Sequence, residues 1–456
     1  MLDAGAKDEQ KAEGTGSEWA LRSFFGRINY NYKERYLFEA NIRYDGSSRF
    51  AKGHRWGLFP SFSGGWRISE EAFWEPLRST FDNFKIRASW GQLGNQNIGT
   101  YPFDSFVNLA LPYVFNSSPY NGAALQAMAN NRISWEKTEM TNFGVDFTLF
   151  KNLQVTFDYY IKNTSDILLT LDVPKIIGLT APYQNAGKVR NKGWELALNY
   201  GDKVNDFSYN IGFNLSDVKN KVIDLKGINS ADLVVNHEGY SMNSIYALEA
   251  IGFFTSEDQL NNHAKQYGNY SLGDIMYKDQ LTIDTDGDGI PDEADGVIND
   301  DDKVIVGNSI PRFTFGLSTY LSWKNFDFNM LLQGVGKADG YLYSQAVMPF
   351  YLGGTATEGH KDYWSEDNPN ATYPRLAFNE PNNEKHSTFW MKNAAYLRVK
   401  NVQIGYNIPK KILQNCGIQS TRIYVSGQNL FSFDSFWDGF DVESAVGRGN
   451  HYPCLL

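Results

Sequence analysis

Hydrophobic and polar residues alternate one by one over long stretches of this chain. Between 36 and 45, Tyr36, Phe38, Ala40, Ile42 and Tyr44 fall on one side of an extended backbone, and Glu39, Asn41, Arg43 and Asp45 on the other. Successive side chains of a strand point to opposite faces, so a period of two predicts a strand with one apolar and one polar face. The pattern recurs. Phe84, Ile86, Ala88 and Trp90 oppose Lys85, Arg87 and Ser89; Phe143, Val145, Phe147 and Leu149 oppose Asn142, Gly144, Asp146 and Thr148. Val155, Phe157, Tyr159 and Ile161 oppose Gln154, Thr156, Asp158 and Lys162, and stretches 194–200, 207–215, 313–323 and 326–332 read the same way. Near Lys400–Asn401 the phase slips between Val399 and Val402, which predicts a bulge.

Twelve strands are predicted, at about 23–31, 36–45, 57–67, 83–92, 138–149, 153–162, 191–200, 207–216, 310–323, 326–336, 396–408 and 421–432. Soluble strands are usually ~5–6 residues long, whereas strands crossing an outer membrane need ~9–11. The links alternate. Close ones fall at Tyr32–Arg35, Lys151–Asn152, Gly201–Asp206 and Lys324–Asn325, with longer links of the same parity at 68–82 and 409–420. Links of the other parity, at 46–56, 93–137, 163–190, 217–309 and 337–395, include all the longest. Short turns on one side and long loops on the other are the habit of an outer-membrane barrel. A propeller would instead repeat every ~40–50 residues, and no such period is present. Within the longest link, Ile245–Phe254 reads either as a further strand or as part of a loop fold.

Composition sharpens the picture. The 456 residues carry 42 basic and 52 acidic side chains, a net charge of −10, which argues against a nucleic-acid binder with its basic stripe. Two cysteines, Cys416 and Cys454, give no disulfide framework. Aromatic residues make up 15% of the chain. No apolar run approaches the ~18 residues of a membrane-spanning helix, which excludes a helical membrane protein and leaves a membrane β-barrel open. Met1–Gly16 shows neither the basic start nor the apolar stretch of a signal peptide.

Several segments resemble the SusC/RagA type of TonB-dependent outer-membrane transporter. They are RYLFEANIRYDGSSRF at 35–50, FPSFSGGWRISEE at 59–71, KIRASWGQLGN at 85–95, an Asp-rich loop before KVIVGN within 273–307, YLRVKNVQIGYNIP at 396–409, and IYVSGQNLF at 423–431. The resemblance implies an all-β, antiparallel transmembrane β-barrel of about 22 strands, of which about twelve are here. It also implies an N-terminal plug, import of a bulky nutrient (an oligosaccharide or a peptide), energy from the TonB–ExbB–ExbD complex, and a SusD-like lipoprotein lid. A cell outer membrane is then the expected location and no catalytic role is expected. The expected layout is a polar segment 1–22, barrel wall at 23–432, with the 217–309 loop carrying an Asp-rich segment at 284–302, and a final extracellular loop at 433–456. Plug, TonB box, signal peptide and closing strand are missing from this sequence. The chain is therefore expected to be a piece of the transporter, inactive alone, because open strand edges are costly in lipid.

One motif carries sharper chemistry. Asp284, Asp286, Asp288, Ile290, Asp292 and Asp295, with Gly289 at the sixth position, follow the spacing of a calcium loop: carboxylates at positions 1, 3, 5, 9 and 12, and a backbone carbonyl at 7. The twelfth position is Asp rather than Glu, and no helices flank the loop. A second register, Asp295 to Asn299 with Asp302, overlaps it. A structural Ca2+ and a merely solvated acidic loop both remain open readings. The histidines at 54, 237, 263, 360, 386 and 451 show no ligand spacing. Gly334-Val335-Gly336 with Gly340 misses the dinucleotide pattern, and no nucleophile elbow or Walker motif occurs. Tyr101, Tyr113, Tyr351, Tyr363, Trp364, Phe389, Trp390, Phe436 and Trp437 lie in or beside long links, where they suit sugar stacking, loop packing or a membrane girdle. The competing class is a secreted, calcium-dependent carbohydrate-binding β-protein, which accounts for the Asp loop and aromatics but not for the strand lengths and link parity.

Overall fold

The computed structural model describes residues 16–171, 173–227, 232–413 and 417–447. Most of the N-terminal polar segment, Cys416, Cys454, His451 and the closing residues 448–456 lie outside them. Twelve strands form a single antiparallel sheet. They are β1 (Leu21–Tyr32), β2 (Tyr36–Ser47), β3 (Trp56–Arg67), β4 (Phe81–Asn95), β5 (Glu136–Leu149), β6 (Leu153–Thr170), β7 (Tyr183–Val204), β8 (Phe207–Asp224), β9 (Arg312–Trp323), β10 (Phe326–Lys337), β11 (Tyr396–Asn407) and β12 (Arg422–Asp434). Each pairs with the next in sequence, so the topology is a plain meander. No described helix is long and apolar enough to cross a membrane, which leaves spanning by strands untouched.

The expected strands all appear, but β6, β7 and β8 run further toward the long links than the alternation does. The reason is chemical. Past Ile161, Trp194 and Leu215 the apolar face takes Asn163, Lys192 and Asp217, so the periodic signal stops while backbone pairing continues. The tight turns use left-handed backbone: Lys33 and Glu34 lie at φ 51° and 57°, and Phe150 and Lys151 at 50° and 66°. Such turns match the strand twist of a hairpin. The bulge sits where the phase slips. Leu331 pairs with Asn401 and Leu332 with Val399, so Lys400 drops out of the ladder and Val399 and Val402 keep to one face.

The two faces differ sharply. On one, register lines up Tyr36 with Trp66, Phe62 with Trp90, Phe84 with Phe147 and Phe326 with Tyr406, and sets Phe157 diagonally to Trp194. These rings meet at centroid distances of 4.7–6.5 Å. Many remain open to the surroundings: Ile42 is 50% exposed and Phe143 58%. The opposite face carries charges joined in pairs, as Arg27–Glu39 at 2.5 Å and Lys85–Asp146 at 2.8 Å show. An exposed apolar face of this extent suits lipid rather than water, which disfavours the secreted, soluble alternative.

At the long-link end, 225–227, 232–311, 338–395 and 435–447 pack into one cap. Its core holds Ile245, Leu248, Ile275, Tyr277, Tyr341 and Trp390, all fully buried. The segment left open by the sequence belongs here. Ser244–Ala247 pairs with Val304–Asn308, and Ala250–Phe253 with Ile275–Tyr277, both outside the twelve-stranded sheet.

Candidate functional site

The charged face is built by small residues that let long ones cross. Arg87 on β4, Gly144 on β5 and Asp158 on β6 stand in one row. A side chain at Gly144 would collide with the Arg87 guanidinium. With none there, the guanidinium passes over β5 and meets both Asp158 oxygens at 2.5 and 2.6 Å, while its Nε donates to Asp146 at 3.1 Å. The device repeats at the other end of the sheet. Arg422 on β12 reaches across Gly405 on β11 to Asp327 on β10, at 2.5 and 3.0 Å. Bidentate, part-buried pairs of this kind fix geometry as well as charge. They leave a polar wall of paired charges and hydrogen-bonding groups. A concavity of about 450 Å³ opens on it, lined by Asn29, Asn31, Ser63, Lys85 and Arg87 among others.

The cap is locked by a buried polar network that joins segments over a hundred residues apart. Asp274, fully buried, accepts from Ser271 N at 2.8 Å, Asn383 Nδ2 at 2.8 Å and Arg375 Nη2 at 2.7 Å. Asn382 donates to the Ile275 carbonyl at 2.8 Å, and the Tyr277 hydroxyl donates to the Asn382 carbonyl at 2.6 Å. Burial holds that hydroxyl protonated, well above the ordinary tyrosine range. Trp390 donates from Nε1 to the Asn383 carbonyl at 3.1 Å. The sequence offered no signal for this network: isolated Asn, Gln and Asp residues in loops carry no period and no motif.

The Asp-rich loop projects from the cap and is exposed. Asp284, Asp286 and Asp288 bring one carboxylate oxygen each within 4.8 Å of one another, and they are the one such group of three His, Cys, Asp or Glu among the described residues. Gly287 and Gly289, at φ 77° and 88°, make the turn. Asp284 accepts from Gly287 N at 2.7 Å and Gly289 N at 2.8 Å; these backbone donors, Gly289 first, hold its carboxyl below the usual range. Asp292 instead accepts from the Thr285 hydroxyl at 2.7 Å, and Asp295 from Val297 N at 2.8 Å. Three of the five carboxylates with ligand spacing therefore converge; all five accept local donors, and Asp292 and Asp295 stand outside the convergent group. In the second register, Asp302 is fully buried as a cap for Asn299 N at 2.7 Å and Gln280 N at 2.8 Å.

The loop aromatics divide. Trp390, Trp364 and Phe436 are buried; Trp390 and Phe436 pack in the cap core, with Phe389 and Trp437 packed against it, so these serve packing. Tyr113, Tyr101 and Tyr363 are exposed. Of the histidines, His360 is buried, its Nδ1 accepting from Thr357 N at 2.9 Å and its Nε2 donating to the Val347 carbonyl at 2.9 Å.

Residues 3–430 match the family described as TonB dependent receptor-like, beta-barrel. The TonB-dependent receptor P3 of Formosa agariphila is 32% identical over 99% of this chain and 44% of its own length. The TonB-dependent receptor SusC of Bacteroides thetaiotaomicron is 30% identical over 98% of this chain and 43% of its own. The chain thus spans less than half the length of these curated relatives. Among solved structures, the RagAB peptide importer in its closed-closed state superposes with a TM-score of 0.80 at 24% identity, over 99% of this chain and 48% of that one, a likeness of fold.

Proposed function

The chain belongs to the TonB-dependent receptor-like β-barrel family, and from that premise we propose that it forms part of the wall of an outer-membrane importer of bulky nutrients. One observation carries the reading most directly: the sheet exposes its aromatic face and pairs its charges on the other. Lipid would meet the first face and a water-filled lumen the second. The long-link cap would then stand outside the cell, over the mouth.

In the complete protein, transport would need a plug in the lumen and energy passed through TonB–ExbB–ExbD, with a SusD-like lipoprotein over the cap. The cargo would be an oligosaccharide or a peptide. Its recognition would draw on exposed loop aromatics such as Tyr113 and Tyr363 rather than on the buried Trp390. The wall contributes shape and hydrogen bonds and no chemistry; the protein acts as a carrier and not as an enzyme. The test is uptake of labelled oligosaccharides and peptides by the source bacterium, with the gene deleted, restored, or restored in a strain without TonB. Loss on deletion, rescue by the complete gene and no rescue without TonB support the proposal. Uptake of every tested nutrient unchanged by deletion refutes it.

The Asp-rich loop would serve as a structural calcium clasp, with Asp284, Asp286 and Asp288 as its first ligands. Calcium takes six to eight oxygens, and the remainder would come from Asp292 and Asp295, once released from their local donors, from the Ile290 carbonyl and from water. Titration calorimetry on the complete protein is expected to show calcium uptake that D286N/D288N abolishes. Identical heats from both proteins would remove the clasp.

A further inference from the structure

Positions on the aromatic face can be followed up β7 and β8 toward the long links. On β7 they read Tyr200, Leu198, Leu196, Trp194, and then Lys192, Arg190 and Lys188. On β8 they read Phe207, Tyr209, Ile211, Phe213, Leu215, and then Asp217, Lys219 and Lys221. The register sets Lys192 directly across from Lys219 and Arg190 directly across from Lys221. Like charges directly opposite one another destabilise a strand pair. Among the described residues none of these five cations has an ion-pair partner within 4.0 Å; Arg190 donates from Nε to Asn163 at 2.7 Å. Two acids feel the cluster, Asp217 and Asp224, and each is held by another cation, Arg312 and Lys226.

Facing cations elsewhere in the sheet are supplied with acids. Arg67 lies across from Lys85, and they bind Glu70 at 3.1 Å and Asp146 at 2.8 Å. Arg312 lies across from Lys337 and binds Asp217. The β7–β8 cluster is the exception, and its height gives the reason. From Phe207 to Leu215 the strand advances about 27 Å at ~3.4 Å per residue; tilted by about 40°, it covers roughly 20 Å of the ~25 Å apolar band of such a barrel. Lys192 follows Trp194 immediately on its face, and Lys219 stands two outward positions past Leu215. The cations therefore ring the top of the apolar band, at the level of headgroups and on the lipid side of the wall.

We propose that Lys188, Arg190, Lys192, Lys219 and Lys221 form a binding patch for the phosphorylated headgroups of lipids in the outer leaflet. Phosphate oxygens would fill the gaps between the facing cations with charge-assisted hydrogen bonds, and the acyl chains would lie down the apolar band below, against Trp194, Ile161 and Leu215. Those adjoining apolar residues single out a lipid over a free phosphate ion. The inference rests on the barrel standing in an outer membrane.

The experiment uses the complete gene product, extracted from the outer membrane in mild detergent, with bound lipid counted by native mass spectrometry. The variant K192Q/K219Q/K221Q is compared with K33Q/K151Q/K324Q, which removes equal charge from the short-turn side. The patch variant is expected to lose at least about five-fold of its bound phosphorylated lipid, the control to keep it, and millimolar inorganic phosphate to displace none. Equal retention by both variants overturns the proposal, and displacement by inorganic phosphate overturns the choice of lipid. If the patch variant fails to fold, wild-type protein is melted in vesicles with phosphorylated or dephosphorylated headgroups. A higher Tm with the phosphorylated form supports the patch, and equal values overturn it. Absence of wild-type protein from the outer-membrane fraction instead defeats the barrel reading beneath it.

Discussion

Replacing Asp274 by alanine should unlock the cap while leaving the barrel wall intact. The carboxylate is fully buried and accepts three hydrogen bonds, from Ser271 N, Asn383 Nδ2 and Arg375 Nη2, at 2.7–2.8 Å. Removing one partner of a buried ion pair costs about 3–5 kcal/mol, because the other charge stays behind unpaired. The Arg375 side chain is 29% exposed and keeps Glu380 at 3.7 Å, so its charge is not left wholly unpaired and the lower end applies. About 3 kcal/mol at 1.4 kcal/mol per tenfold is a rise of roughly 100-fold in the opening constant of the cap. Hydrogen exchange on the complete protein reads this directly, since amide exchange follows the open population of each cooperative unit. Peptides covering 266–278 and 380–390 should exchange roughly 100-fold faster in D274A, and β4–β8 should be unaffected. Acceleration below about five-fold in those peptides would refute the claim that this network locks the cap.

Three further outcomes follow from the geometry. Placing a side chain under the Arg87 guanidinium, as in G144V, should cost about 1–3 kcal/mol of wall stability and lower the temperature at which the barrel loses its folded mobility on a gel; an unchanged transition would show that the crossing is not needed. His386 is held below its ordinary value of 6.5, first by burial and then by Lys303 and Lys385. Its unfolded form therefore binds the extra proton, so cap stability should be full above pH 6.5 and fall as pH drops below it. Substituting His386 by Phe should flatten that slope in exchange measurements, and an identical slope would assign the effect to other groups. Trp390 is fully buried, and W390A should cost about 3–5 kcal/mol in the cap by opening a cavity, measured by the same exchange peptides.

The wall was legible in the sequence because a strand with unlike faces writes its pattern at a period of two. Tyr36 to Tyr44 gave β2 almost to the residue, and the slip at Lys400 gave the bulge. The strands overran their pattern most where the apolar face left the apolar layer, at Asn163, Lys192 and Asp217. The cap was not legible. Its core joins Ile245, Trp390 and Val442, and its lock joins Asp274 to Asn383, across separations that no local period reports. The Asp loop lay between: its spacing singled out Asp284, Asp286 and Asp288, which converge, yet could not reveal that Thr285 engages Asp292 and Val297 engages Asp295. The cationic patch was hidden for a related reason. Lys192 and Lys219 are ordinary polar residues until the register sets them face to face.

The central claim, that this sheet is a membrane wall with its aromatic face toward lipid, is tested most directly by spin labels placed one residue at a time along β7 and β8. Single cysteines at 195–198 and 211–215, in a complete protein whose native cysteines are serine, are labelled and reconstituted in bilayers. Collision with oxygen, which concentrates in lipid, and with a water-soluble nickel chelate is then compared at each site. Leu196, Leu198, Ile211, Phe213 and Leu215 should favour oxygen, and Glu195, Ala197, Gly212 and Asn214 should favour the chelate, with a period of two. Equal access to the chelate on both faces would contradict the membrane wall.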